Sequence, residues 1–256
     1  MAVLPEYRKS AAALVLTRKL FELSLGRYAK QLFCVSCEPA LVGMYERMGY
    51  RAIAPAWAKD SGGFRVPLLL AGYDEDHLRR VRSPLLPVLQ ARPRPWPEAG
   101  VSWSRATPGL FPAEFGIRRW SASRYEPALD RLTAGLSDDG RAALLTNAIE
   151  VEARVGDHAF CEGDGVPGLV VVLSGGAELR RCDRLVAKLG PGDVGGVATT
   201  VLRDARQASL VVDRELTRLL LLSRNAVERL RDPDDRAALW HNLASFLAER
   251  TAEPQA

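Results

Sequence analysis

Long hydrophobic runs are missing from this chain of 256 residues. The longest, Ala11–Leu16 and Leu219–Leu222, fall far short of the roughly 20 apolar residues that a bilayer-spanning helix needs. The opening MAVLPEYRKSAAALVLTRKL lacks the basic, apolar, small order of a secretory signal. A cytoplasmic protein with no membrane partner is therefore expected. Cysteine is scarce: four residues do not make a disulfide scaffold in a chain of this length. Cys34 and Cys37 form a CxxC, which reads as a redox pair, part of a zinc site or, the favoured reading, thiols buried in a strand. There is no second CxxC, and His77, His158 and His241 are scattered, so no metal is expected. Helix-turn-helix patterning, zinc-finger spacing and aromatic-basic interleaving are absent as well, and no nucleic-acid partner is expected. No internal repeat is visible.

What is present is an uneven charge. Residues 1–100 carry 15 basic and 9 acidic side chains, whereas residues 137–256 carry 15 and 19. A basic half can attract nucleic acid or an anionic cofactor, but a solvated basic surface is the favoured reading.

Periodicity organises the first part. AAALVLTRKLFELSLGRYAKQ spaces Leu14, Leu16, Leu20, Phe21, Leu23 and Tyr28 as one stripe of an amphipathic helix. QLFCVSC reads as a strand, and ALVGMYERM as a short helix stopped by Gly49. YRAIAPAW and FRVPLLLAGY read as further strands joined by the polar turn KDSGG. DEDHLRRVRSPLL, acidic first and basic last, suits a helix dipole. Four prolines within residues 93–108, with Gly100 and Gly109 around them, make a regular element improbable there. The expected division is residues 1–90, a linker over 91–125, and a second domain over 126–256.

From Ser137 the pattern changes. After a helix capped by that serine, short strand-like runs recur between glycines: HAFCEGD, GLVVVLSG, AELRRC, RLVAKLG, ASLVV and ELTRLLLLS. This spacing predicts a compact antiparallel β-barrel or jelly roll. Two helices close it, the second with Asp232 as N-cap, Pro233 at the first position, and a stripe of Leu239, Trp240, Leu243, Phe246 and Leu247. The stripe packs on its own barrel or on a partner chain.

The segment GDHAFCEGDGVPGLVVVLSGGAEL, then LGPGDVGG, RQAS and the closing helices, resembles a cyclic-nucleotide-binding domain of the catabolite-activator and protein-kinase-A regulatory type. Gly156, Gly163, Gly175, Gly190, Gly192 and Gly196 stand where that family has its turns. The resemblance implies a phosphate-binding cassette in which Gly195, Gly196, Val197, Ala198, Thr199, Thr200, Arg206 and Gln207 face the ligand, a small anion such as cyclic AMP or cyclic GMP. Gly196 matches the family's glycine, Ala198, Thr199 and Thr200 its short helix, and Arg206 its arginine. Val197 stands where the family has the glutamate that accepts the ribose hydroxyl, and Gly195 replaces the usual aromatic. A hydrogen bond to a charged group contributes ~1.5–3 kcal/mol, so this exchange implies weakening by about a hundredfold. Sensing of cyclic nucleotides, another phosphate-bearing ligand, and a structural module without ligand all remain open.

The first ~90 residues resemble the second half of a GNAT-type acyltransferase, closest to N-acyl amino acid synthases and autoinducer synthases. CVSCEPALVGMYERMGYR and GGFRVPLLL carry the likeness. By resemblance Tyr45 is the candidate catalytic acid for the leaving thiolate, with acyl-CoA or acyl-carrier protein as donor; packing of Tyr45 on its helix is the competing reading. The family's glycine-rich pyrophosphate loop has no counterpart, because residues 1–13 contain no glycine. The strand at Gln31–Cys37 is then expected to show an apolar unpaired edge, open to a second copy or a partner chain. The combined expectation is an α+β protein with a partial α/β sheet first and a barrel with closing helices second. Its function would be that of a ligand-responsive or degenerate regulatory module fused to an acyltransferase remnant. The alternative is an N-acyltransferase governed by the C-terminal domain, given a longer N-terminus.

Overall fold

The computed structural model describes residues 12–53, 57–59, 63–91, 98–107, 110–111, 118–121, 124–146, 148–164, 168–202 and 204–252. The chain forms two compact units. The first comprises Met1–Cys37, Leu41–Ala54 and Pro67–Phe115; the second comprises Glu38–Ala40, Pro55–Val66 and Gly116–Ala256.

The early elements are α1 (Ala12–Gly26), β1 (Leu32–Cys37), α2 (Val42–Met48), β2 (Arg51–Ala52), β3 (Trp57–Lys59), β4 (Gly63–Ala71), α3 (Glu75–Arg80), α4 (Leu86–Gln90) and α5 (Ala99–Ala106). Their sheet runs β1-β4-β2, with β3 also on β4, so β1 is an edge among the described residues. Within the first unit Leu68, Leu70, Leu78 and Leu85 are fully buried. Gly49 ends α2 at φ +105°, where a Cβ would stand 2.4 Å from Leu78 Cδ2, so only glycine fits that cap. Asp74 caps α3 by accepting from the His77 N–H at 3.4 Å.

Three expectations for this part are corrected. The buried line of α1 is Thr17, Phe21 and Leu25, an i, i+4 ridge on which Phe21 meets Phe33 with centroids 5.0 Å apart. Leu14, Leu16, Leu20, Leu23 and Tyr28 are rotated off that ridge and exposed. YRAIAPAW is not one strand, since β2 ends at Ala52 and β3 starts at Trp57. The segment expected to be irregular contains helix α5, whose Gly100 N–H donates to Gln31 Oε1 at 2.6 Å. Prolines 93, 95, 97 and 108 flank this helix in sequence rather than interrupt it, and themselves lie outside the described residues.

The second unit continues with β5 (Arg118–Arg119), α6 (Asp130–Thr133), α7 (Asp138–Leu145), β6 (Ile149–Ala153), β7 (His158–Phe160), β8 (Gly168–Ser174), β9 (Ala177–Arg181), β10 (Arg184–Leu189), β11 (Val194–Gly195), α8 (Val197–Leu202), β12 (Ser209–Val212), β13 (Thr217–Ser223), α9 (Arg224–Glu228) and α10 (Pro233–Ala252). It also includes β3 and the start of β4, where Glu38 pairs with Arg65 at 3.0 Å and Gly63, at φ +67°, lies against the Ala159 carbonyl.

The expected barrel is instead a sandwich of two antiparallel sheets, β10-β9-β12-β7 and β11-β8-β13-β6-β5, with no hydrogen-bonded closure between them. The chain leaves one sheet at the end of β8 and enters the other at β9 through Gly175 and Gly176. Gly175 has φ +82°, and a Cβ there would stand 2.2 Å from Thr217 Oγ1. That sharp glycine corner separates the ladders rather than continuing them. The core joins Leu169, Val171, Leu220 and Leu222 of the sheets to Leu129, Leu132, Leu144, Leu239, Leu243 and Phe246 of the helices. Trp240, expected in the α10 stripe, is exposed, one residue past the buried line. Asp232 caps α10 as expected, accepting from Asp234 N at 2.8 Å. No described helix is long and apolar enough to cross a membrane.

Candidate functional site

The short strand β11 pairs with β8 (Val194 with Val171, Gly195 with Val170) and delivers the chain into α8. Gly196 makes the turn at φ +81°. A Cβ there would stand 2.1 Å from Arg206 Nη1 and 2.5 Å from the Gly168 carbonyl oxygen, so glycine is required both by conformation and by space.

Arg206 is held on every side. Its backbone N–H donates to Asp164 O at 2.9 Å, and its carbonyl accepts from Gly163 N at 2.8 Å. Its Nη2 donates to Gly168 O at 2.8 Å, and the guanidinium carbon lies 4.0 Å from the Phe160 ring centroid. The residue is only 6% exposed, and Nε and Nη1 have no hydrogen-bond partner. Burial lowers its pKa to about 10, against the opposing pull of Asp164 and Glu38.

Beside it lies a cavity of about 170 Å³. Phe160, Leu179, Val186, Ala198 and Leu247 give it apolar walls, while Thr199 and the exposed Gln207 are its uncharged polar members. Arg181 and Arg250 also border it, and no acidic residue lines it among the described residues. The Arg250 guanidinium donates to the Val194 carbonyl, and burial lowers its pKa while Asp193 and Glu249 pull it up.

The cassette residues singled out from sequence do come together here, but in two layers. Gly196, Val197, Ala198, Thr199 and Gln207 border the cavity, whereas Arg206 stands behind Gly196. Gly195 is buried against Leu210 and Phe160. Val197 is fully buried and belongs to the core that includes Leu169 and Leu243. Thr200 is buried, and its hydroxyl donates to Gly196 O at 3.0 Å. Sequence reasoning missed Phe160 as the platform for Arg206, and Leu247 and Arg250 as cavity residues. The aromatic in HAFCEGD was the available signal for the first; nothing local marks the others.

Elsewhere, Tyr45 is half-buried on α2, its ring edge-on to Tyr50 with centroids 5.2 Å apart. Burial first, and then Cys37, push its hydroxyl pKa upward. Cys37 is buried but Cys34 is exposed, so the reading of both as buried strand thiols is corrected: residues three apart on a strand point to opposite faces. All four cysteines are free, and no group of three metal-ligating side chains occurs among the described residues.

No family model and no curated protein matches the chain. Several solved structures are similar to about half of it. A cyclic-nucleotide-binding domain from Methylobacillus flagellatus matches at 21% identity and a TM-score of 0.44, over 48% of this chain and 76% of that one. A putative cyclic-nucleotide-binding protein from Geobacter metallireducens matches at 20% identity and a TM-score of 0.44, over 50% and 99%. The catabolite activator protein of Thermus thermophilus matches at 30% identity and a TM-score of 0.40, over 47% and 58%.

Proposed function

We propose that this chain is a ligand-responsive regulatory module of the cyclic-nucleotide-binding type, in which the sandwich holds a small anion beside Gly196. The observation that carries this reading is Arg206: a buried guanidinium with two unpartnered donor nitrogens next to a cavity. A buried cation without a bonded counter-charge is costly, and an anion supplies both charge and acceptors. Gly195, Gly196, Ala198, Thr199, Thr200, Arg206 and Gln207 form the cassette in this reading, and Val197 fills the place of the sugar-reading acid with a core side chain. Arg206 stands behind Gly196, close enough for its charge to act on an anion in the cavity.

The test is a thermal-shift titration with cyclic AMP, cyclic GMP and inorganic phosphate, run on the chain and on Arg206→Met. A ligand at a hundred times its Kd stabilises by about 2.7 kcal/mol, so even a weak ligand moves the melting point at millimolar concentration. A shift that disappears in Arg206→Met supports the reading. A shift retained in Arg206→Met removes the arginine from it.

The alternative attaches to the first unit. There the acyltransferase likeness of Cys34–Arg51 makes Tyr45 the acid and acyl-CoA or acyl-carrier protein the donor. Its support is the sequence resemblance, together with the edge position of β1. Equilibrium binding of acyl-CoA, compared between the chain and Tyr45→Phe, tests it. A homodimer, or a partner chain added at the β1 edge or on α10, belongs to the same set of proposals and is read by light scattering.

A further inference from the structure

The cassette geometry also bears on what kind of anion fits. Resting on the anion-site reading above, we propose that the ligand is an organic anion with an acidic head and an apolar body, and not a sugar phosphate.

The head follows from charge. Arg206 offers one buried positive charge with Nε and Nη1 open. Arg181 and Arg250 border the cavity itself, Arg181 exposed on β9 and Arg250 donating to Val194 O. Positive charge therefore stands both behind and beside the cavity, which suits an anionic head.

The body follows from the walls. Phe160, Leu179, Val186, Ala198 and Leu247 face the space, and among the described residues no carboxylate lines it. A ribose needs acceptors for its hydroxyls. The family's acid position, Val197, is packed in the core, and the Thr200 hydroxyl is bonded to Gly196 O. Thr199 and Gln207 are the remaining neutral polar side chains. Each buried hydroxyl left without its bond costs about tenfold or more in affinity, whereas methylene or ring carbons against these walls gain affinity by leaving water.

The experiment is calorimetric and thermal-shift titration of the full chain with hexanoate, phenylacetate, phenylacetamide, ribose 5-phosphate, inorganic phosphate and cyclic AMP. Hexanoate or phenylacetate is expected to bind at least tenfold more tightly than ribose 5-phosphate or cyclic AMP. Phenylacetamide, the same body without the charge, is expected to give no shift. Ala198→Asp, which places a carboxylate on a half-buried apolar wall, is expected to abolish the carboxylate signal, and its circular dichroism spectrum reports folding. Tighter binding of cyclic AMP, lost in Arg206→Met, would overturn the inference and leave the anion site intact. Equal binding of phenylacetamide and phenylacetate would overturn the charged head. Silence from all six compounds would overturn both the inference and the site.

Discussion

The guanidinium carbon of Arg206 lies over the ring of Phe160, 4.0 Å from its centroid, and both residues are buried. Among the described residues, the ring and the Gly168 carbonyl are the direct contacts of this cation, and Asp164 and Glu38 pull on its charge. A desolvated cation–π contact contributes about 2 kcal/mol, and a partial core truncation adds to its loss. Phe160→Leu is therefore expected to destabilise the second unit by about 2–3 kcal/mol, read by urea denaturation. The same change in an Arg206→Met background should cost clearly less. Equal losses in the two backgrounds would show that the ring acts only as filler.

Gly196→Ala is expected to fail on two grounds at once. The residue sits at φ +81°, and the added methyl would occupy the space of Arg206 Nη1. Strain in this backbone region costs about 1–3 kcal/mol for a side-chain-bearing residue. Displacement of the guanidinium comes on top, so a loss of about 3 kcal/mol and no anion-induced thermal shift are expected. By contrast, Gly156→Ala meets no neighbour within 4 Å and is expected to show the backbone cost alone.

Restoring the family acid should not restore sugar binding. Val197 is fully buried among Leu169, Val171 and Leu243, so Val197→Glu places a carboxylate in the core. On the order of 3 kcal/mol of destabilisation is expected at neutral pH. Burial raises the folded-state pKa of such a group. The penalty is therefore full above that raised value and shrinks as pH falls toward the unfolded value near ~4.3. Guanidinium melts between pH 5 and pH 8 read this slope. A gain in cyclic AMP affinity with unchanged stability would contradict the core placement.

Two buried groups set opposite alkaline trends. Tyr50 is raised to about 12 by burial, with Tyr45 and Cys34 adding to it, so the unfolded chain ionises first as pH climbs past ~10. The stabilisation is present below pH ~10 and about 2–3 kcal/mol of it is lost toward about 12 in the first unit. Tyr50→Phe should flatten that fall. Arg206 is lowered to about 10, so its buried-charge penalty is present below that value and relaxes as pH rises through it. Anion affinity should do the reverse, holding steady from neutral pH and falling through pH 10 as the cation is lost. Binding measured from pH 7 to pH 10.5 decides this.

Local rules explain which parts were readable from sequence. Caps and turns were, because Gly49, Asp232 and Ser137 act through their own backbone neighbourhoods. So were the strands of the second unit, marked off by glycines. Burial was less legible: the ridge Thr17, Phe21, Leu25 is chosen by what packs against it, and a more hydrophobic stripe of leucines lies exposed. Whether β8 and β9 share a sheet depends on the corner at Gly175, which sequence shows as a turn without a direction. In the cassette, the residue types were readable but not their layering. Nothing in RQAS tells that Arg206 turns inward onto Phe160, or that α10 lends Leu247 and Arg250.

The chain passes between its two units five times, at residues 37/38, 40/41, 54/55, 66/67 and 115/116. No single cut releases the second unit whole. A fragment starting at Gly116 lacks β3, Arg65 and Glu38, and with Glu38 goes one of the two carboxylates that pull on the Arg206 charge. Such a fragment is a different molecule electrostatically, with one fewer carboxylate pulling on Arg206. Domain swaps and limited proteolysis that treat the halves as beads on a string will therefore alter the very group they set out to isolate.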